Sequence, residues 1–297
     1  MSFVTRYLEP QLVERLNHLQ LSARSVVEGS IIGRHRSPVK GASVEFRQHR
    51  FYTPGDEPRR MDWRVLARTD RPYIKEFDEE TNLRSVLMLD CSGSMSYAGK
   101  SGTTKHDYGA KLVAALSYLM LAQTESVGLA LFGDHLDQWL APRSGTVQLS
   151  RVIDLLERSA AQGESRIPQA IQQVADRLGR RSLVVIASDF FAPIPILRQG
   201  LARLRHDRHE TILLQVLDRD EIEFPFRTWS RFRGLEGERA QLQEPAVIRR
   251  MYLDRFRKHR RSLEDTCRVL GAEFYSFVTE RPIIDAVTSF LHRRAVR

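Results

Sequence analysis

The chain has 297 residues, 42% hydrophobic and 28% charged, a balance that suits a folded globular protein and excludes disordered or collagen-like chains. No apolar run approaches the roughly eighteen residues that span a bilayer, and MSFVTRYLEPQLVERL carries acids early without a signal-peptide core, so a cytoplasmic protein with no membrane insertion is expected. The net charge of +9 is peripheral, because residues 86–197 carry ten basic and ten acidic side chains, which argues for an acidic partner or a solvated surface before nucleic acid.

In chain order, a first helix is predicted from Pro10 to about Leu21, with proline at its first position and Leu12, Leu16 and Leu19 on one face. From Val26 to Glu80 the pattern becomes a β-rich lead-in. SVEFRQHRFY and RPYIKEFDEE read as strands around the turn-rich TPGDEPRRMDW. After Leu83, apolar strand candidates at 85–90, 127–133, 182–189, 211–218 and 273–278 alternate with helical patterns. The helices are expected at 107–123, 147–160, 167–178, 194–205 and 248–270, with a last one after Pro282; LDQWLAP (136–142) reads as an edge strand beside VGLALFG. Strands that are apolar throughout, between amphipathic helices, predict a doubly wound, mostly parallel α/β sheet of the Rossmann type with an N-terminal helix and a β-rich extension. Two regions are expected: 1–82, a helix and lead-in packed on the core, and 83–297, an α/β domain with a strand and loop insertion near 220–245.

In such sheets ligands bind beyond the carboxyl ends of the strands, where Asp90, Asp189 and Asp218 fall. The first of these ends, VLMLDCSGSMSYAGKSG, offers two readings. Gly99-Lys100-Ser101 are the closing letters of a nucleotide-binding loop, but its first glycine belongs at position 94, which is Ser, and the helical pattern starts only near Asp107. The alternating Asp90, Ser92 and Ser94 instead place one carboxylate and two hydroxyls after a buried strand. Hard oxygen donors of this kind suit Mg²⁺ or another divalent cation such as Mn²⁺. The same residue types are also ordinary turn formers and helix caps. The two cysteines, Cys91 and Cys267, show no pairing or zinc spacing, and Cys91 reads as a small semi-buried side chain.

DCSGSM resembles the Asp-x-Ser-x-Ser element of von Willebrand factor type A (vWA) domains, the metal-ion-dependent adhesion site (MIDAS). That resemblance implies two further ligands: Ser165 of GESRIPQAI, standing where the family has Thr, and Asp189 at the end of VVIASDF. Ser165 also reads as a cap for the helix that follows it.

A longer stretch is similar to the domain-of-unknown-function 58 (DUF58) family. Its elements are Gly33-x-His35-x-Ser37, Gly41, Glu45-Phe46, Arg50-x-Tyr52-x-Pro54-Gly55-Asp56, Arg59-x-x-Asp62-Trp63, Ala67-Arg68 and the acidic Glu79-Glu80, with FRGLE and the Tyr252 helix further on. The resemblance implies a vWA-like domain and an adaptor or co-chaperone role beside a MoxR-type AAA+ ATPase acting on an unknown client. Read from the residues alone, Pro54-Gly55-Asp56 makes a tight turn, and Arg59, Asp62 and Arg68 form a charge-assisted network with Trp63 as a buried anchor. The set Arg50, Tyr52, Asp56, Arg59, Asp62, Trp63 and Arg68 is therefore structural first and a docking surface second, while His35 reads as a structural hydrogen-bonding residue. In the C-terminal helix, Ile248, Tyr252, Phe256, Leu263, Cys267 and Leu270 make an apolar stripe against an arginine-rich face.

The sequence thus predicts a non-catalytic, metal-dependent protein-interaction module that binds a partner carboxylate. A metal-dependent phosphoester hydrolase and a basic nucleic-acid-binding protein are the alternatives. The hydrolase lacks a recognisable nucleophile and base, and nucleic acid is not expected as a partner.

Overall fold

The computed structural model describes residues 7–17, 19, 44–53, 61–79, 84–179, 181–226, 230–232, 241–243 and 245–295. Gly33, His35, Ser37, Gly41, Pro54, Gly55, Asp56, Arg59, Glu80 and most of FRGLE lie outside these residues, as does the side chain of Arg50. The chain divides into a smaller unit, Arg24–Leu83, and a larger one that combines Met1–Ala23 with Arg84–Arg297.

In the smaller unit, strand β1 (Val44–Phe51) pairs antiparallel with β2 (Tyr73–Glu79), with a bulge between Phe46 and Gln48. Phe51 and Tyr73 face each other across the pair, their rings 4.6 Å apart. Between the strands lies a helix that turn-forming letters concealed, α2 (Trp63–Thr69). Asp62 starts it: its carboxylate accepts from the Val65 amide at 3.3 Å, the N-cap bond that supplies an orphan donor in a first turn. The expectation of a buried Trp63 is corrected. It is the first residue of α2, next to the buried cap, and is 61% exposed. Arg68 is exposed as well, and Tyr52 is half-buried.

The larger unit is built on a six-stranded sheet. Its strands are β3 (Arg84–Asp90), β4 (Ser126–Phe132), β5 (Leu136–Arg143), β6 (Leu183–Ser188), β7 (Glu210–Leu217) and β10 (Glu273–Val278). Their order is β10-β7-β6-β3-β4-β5, all parallel except the edge strand β5, which runs antiparallel to β4. Every residue of β3 after Arg84 is buried, because helices cover both faces and leave no polar side to alternate with. On one face Val86, Met88, Val184 and Ile186 pack with α5 (Ile167–Arg177), α6 (Ile194–His206) and α8 (Pro245–Leu270). On the other face lies α3 (Lys105–Ala122), so close that a side chain at Gly109 would meet Leu89. Helices α4 (Thr146–Arg158) and α9 (Ile283–Ala295) flank it.

Helix α1 (Pro10–Leu16) packs on α3 and α9, and its end is tied by Tyr118 donating to Asn17 at 2.6 Å. It stops short of Leu21. The 220–245 region contributes a five-residue helix, α7 (Arg219–Glu223), and a small pair of strands, β8 (Ser230–Phe232) and β9 (Gln241–Gln243). In α8 the stripe of Leu253, Phe256, Leu263 and Cys267 is buried, and part of the basic face is matched by Lys258–Asp254 and Arg260–Glu264 pairs one turn apart.

From β3 the chain builds outward through β4 to β5, then returns to β6 and builds the opposite way. The strand order therefore reverses between β3 and β6, and the loops leaving their carboxyl ends part around a crevice. Asp90 ends β3, and Asp189 follows β6.

Candidate metal centre

The loop after β3 turns through a short 3-10 helix, Gly93–Ser96, and is stitched to its neighbours by backbone bonds. Cys91 donates to Phe132 at the end of β4 (2.7 Å), Gln162 to Cys91 (2.7 Å), Gly93 to Gly163 (2.8 Å) and Arg166 to Gly133 (2.8 Å). These bonds bring the 160–166 loop against the 91–96 loop and carry Ser165 to Asp90.

Asp90 is fully buried. Its Oδ1 accepts from the Ser92 amide at 2.9 Å, and its Oδ2 accepts from Ser188 Oγ at 2.7 Å and Ser165 Oγ at 3.2 Å. Ser92 Oγ lies 3.1 Å from Ser94 Oγ. Asp90, Ser92, Ser94 and Ser165 thus form one hydrogen-bonded set. Ser165 stands one residue before Arg166, which occupies the N-cap position of α5, and its hydroxyl is given to Asp90. Burial, and then the neighbouring Asp189 carboxylate, push the Asp90 carboxyl up to about 6, although three hydrogen bonds work to lower it.

Asp189 is held differently. Its Oδ1 accepts from the Phe191 amide at 3.1 Å and its Oδ2 from Lys105 Nζ at 2.8 Å. Lys105 is 1% exposed and also donates to Glu221 Oε1 at 2.5 Å, with its ammonium 5.0 Å from the Phe191 ring centre. Burial pushes this lysine's pKa down, but the Asp189 and Glu221 carboxylates together hold its ammonium above the ordinary lysine value. Between Asp189 and Phe191, Phe190 takes a left-handed backbone (φ 57°), a strained conformation for a bulky residue, fixed by its amide bonding to Ser188 Oγ and its carbonyl accepting from His259 Nε2.

The third strand-end acid, Asp218, caps α7 in a reciprocal box with Glu221. It also accepts from the Gly99 amide at 2.9 Å and Thr279 Oγ1 at 3.0 Å. A Cβ at Gly99 would lie 2.2 Å from Asp218 Oδ1, so any larger residue there must displace the loop or the Asp218 carboxylate. Gly99-Lys100-Ser101 is accordingly a turn clamped to the strand ends, and α3 begins only at Lys105.

The family model described as "Protein of unknown function DUF58" matches residues 48–262. The chain belongs to the DUF58 family. Uncharacterized proteins of Mycobacterium bovis and Mycobacterium tuberculosis are each 26% identical over 298 residues, covering 96% of this chain and 90% of theirs. Among solved structures it is similar to BatB from Bacteroides thetaiotaomicron (12% identity, TM-score 0.47, 73% of this chain and 100% of that one). An aerotolerance-related membrane protein from Bacteroides fragilis is similar too (14%, TM-score 0.49, 71% and 100%). The strand order and the antiparallel edge make the larger unit of the DUF58 chain a mostly parallel, doubly wound α/β fold. No described helix is long and apolar enough to cross a membrane.

The donors of this DUF58 site fit a small, hard divalent cation. One buried carboxylate is ringed by serine hydroxyls. Among the described residues Asp90 has no cationic partner, while the nearby ammonium of Lys105 is engaged by Asp189 and Glu221. Cys91 is no competing donor, since burial and then the Asp90 charge push its thiol up to about 12.

Sequence reasoning missed Ser188, Lys105 and Glu221. A signal for Lys105 existed: a lysine opening a helix opposes the positive end of the helix dipole and so needs another reason to be there. The Asp-x-x-Glu spacing of Asp218 and Glu221 marks a capping box.

Proposed function

We propose that this DUF58 protein is a non-catalytic, metal-dependent protein-interaction module of the cytoplasm, an adaptor or co-chaperone for a MoxR-type AAA+ ATPase acting on a client protein. Mg²⁺ or Mn²⁺ would be held by Asp90, Ser92, Ser94 and Ser165 with Asp189 beside them, and would supply an electrophilic centre for an Asp or Glu carboxylate of the partner. The carrying observation is the hydrogen-bonded set around Asp90, a buried carboxylate with no cation of its own among the described residues, at the crevice where the sheet reverses direction. A cation there relieves the cost of the buried charge, and the serine hydroxyls leave it short of negative ligands. Membership of the DUF58 family supports the choice of partner.

The test is binding of the purified cognate MoxR-type ATPase to the full chain. Affinity should fall at least tenfold with chelator and in Asp90→Ala. Full affinity under both conditions rejects the reading, and Asp90-dependent turnover of p-nitrophenyl phosphate would replace it with hydrolysis.

A further inference from the structure

Lys105 is an expensive residue in its place. It opens α3, where the helix dipole repels a cation, and its ammonium is withdrawn from water. Two carboxylates from distant chain segments retain it: Asp189 at 2.8 Å and Glu221 at 2.5 Å, the latter anchored by Tyr252, whose hydroxyl donates to the Glu221 carbonyl at 2.9 Å. Asp189 and Glu221, one buried and one nearly so, share this one ammonium, while the buried Asp90 carboxylate feels the charge of Asp189 and makes no ion pair with Lys105.

We propose that Lys105 is a built-in counter-cation that competes with the divalent ion for Asp189, so that this site holds its metal loosely until a partner's carboxylate completes it. The inference rests on the metal-dependent reading above and assigns Lys105 as a positioning residue within it. A divalent ion using Asp189 must displace the ammonium or sit beside it, and like charges at such range in a dry site repel strongly. Asp90 and the serines are then the free part of the donor set, and one carboxylate neutralises only half of a divalent charge. An incoming carboxylate supplies the remainder. Metal affinity and partner affinity become linked, each raising the other by the same factor.

The experiment is Mn²⁺ titration of the full chain by calorimetry, with circular dichroism to check folding. Lys105→Gln combined with Glu221→Gln removes one positive and one negative charge together, leaving the local net charge unchanged while freeing Asp189. This variant should bind Mn²⁺ at least tenfold more tightly than the parent, and adding Asp90→Ala should abolish the binding. Lys105→Arg keeps the charge, offers Asp189 a two-pronged partner, and should bind Mn²⁺ at least threefold more weakly, which preserves the test if the paired variant does not fold. Equal or weaker binding in the paired variant, or undiminished binding in Lys105→Arg, overturns the inference while the site stands, provided Asp90→Ala abolishes the parent's binding. Binding that Asp90→Ala leaves intact, or no Mn²⁺ binding by any folded form, overturns both the inference and the site.

Discussion

Asp90 shows how one buried charge sets a stability profile. Its carboxyl is raised from 3.8 to about 6 in the folded chain, so the folded state holds a proton that the unfolded state has released. Without metal, folding stability therefore falls as pH climbs from about 4 to 6 and levels off above. Each pKa unit is worth about 1.4 kcal/mol, so the full effect reaches roughly 3 kcal/mol. Asp90→Asn should stabilise the metal-free protein at pH 7 to 8 and lose that advantage near pH 4, as read from urea midpoints across this range. A gain that is flat with pH would mean that Asp90 is not the titrating group. Ser188 acts in the opposite sense, because the 2.7 Å bond that it donates to Asp90 favours the charged carboxylate. Asp90, Ser92 and Ser94 were legible because five consecutive residues supply them. Ser188, Lys105 and Glu221 were hidden because each acts on a group 84 to 116 residues away.

The same distinction recurs among the elements. The strands and the long helices were readable, because a strand with both faces covered must be apolar at every position and a helix on a sheet must be apolar on one side. Two of the short helices were not. Helix α2 has seven residues and one cap to announce it, and α7 has five. The loop between β3 and α3 owes its path to Asp218, which takes the Gly99 amide and leaves no room for a side chain. Gly99→Ala should therefore cost about 1–3 kcal/mol, from steric strain and a weakened bond at a buried carboxylate, measurable as a lower urea midpoint with unchanged slope. An unchanged midpoint would show that the loop moves aside freely.

At the scale of the molecule, charge and site have opposite signs. The chain carries +9 overall, yet Asp90, Asp189, Asp218, Asp220 and Glu221 gather around the strand ends, and the buried Lys105 pairs with only two of them, Asp189 and Glu221. Such a rim attracts cations and repels phosphates. Mg²⁺ should accordingly raise the melting temperature in a saturable way, by an amount equivalent to about 2.7 kcal/mol at one hundred times its Kd. The effect should vanish in Asp90→Ala; a rise that persists there would place the ion elsewhere. Nucleic acid, if bound at all, should meet the arginine-rich face of α8 and be lost steeply as salt rises.

By itself the sequence determined the α/β alternation, the edge strand and the Asp-x-Ser-x-Ser turn, because each depends on side chains a few positions apart. The tertiary structure alone decided which carboxylate is paired with Lys105 and which has no cation among the described residues. Strand order, set by how helices cover the two faces of the sheet, is what brings Asp189 beside Asp90 and joins Asp189 and Glu221 on a single ammonium, and no local spacing records that meeting.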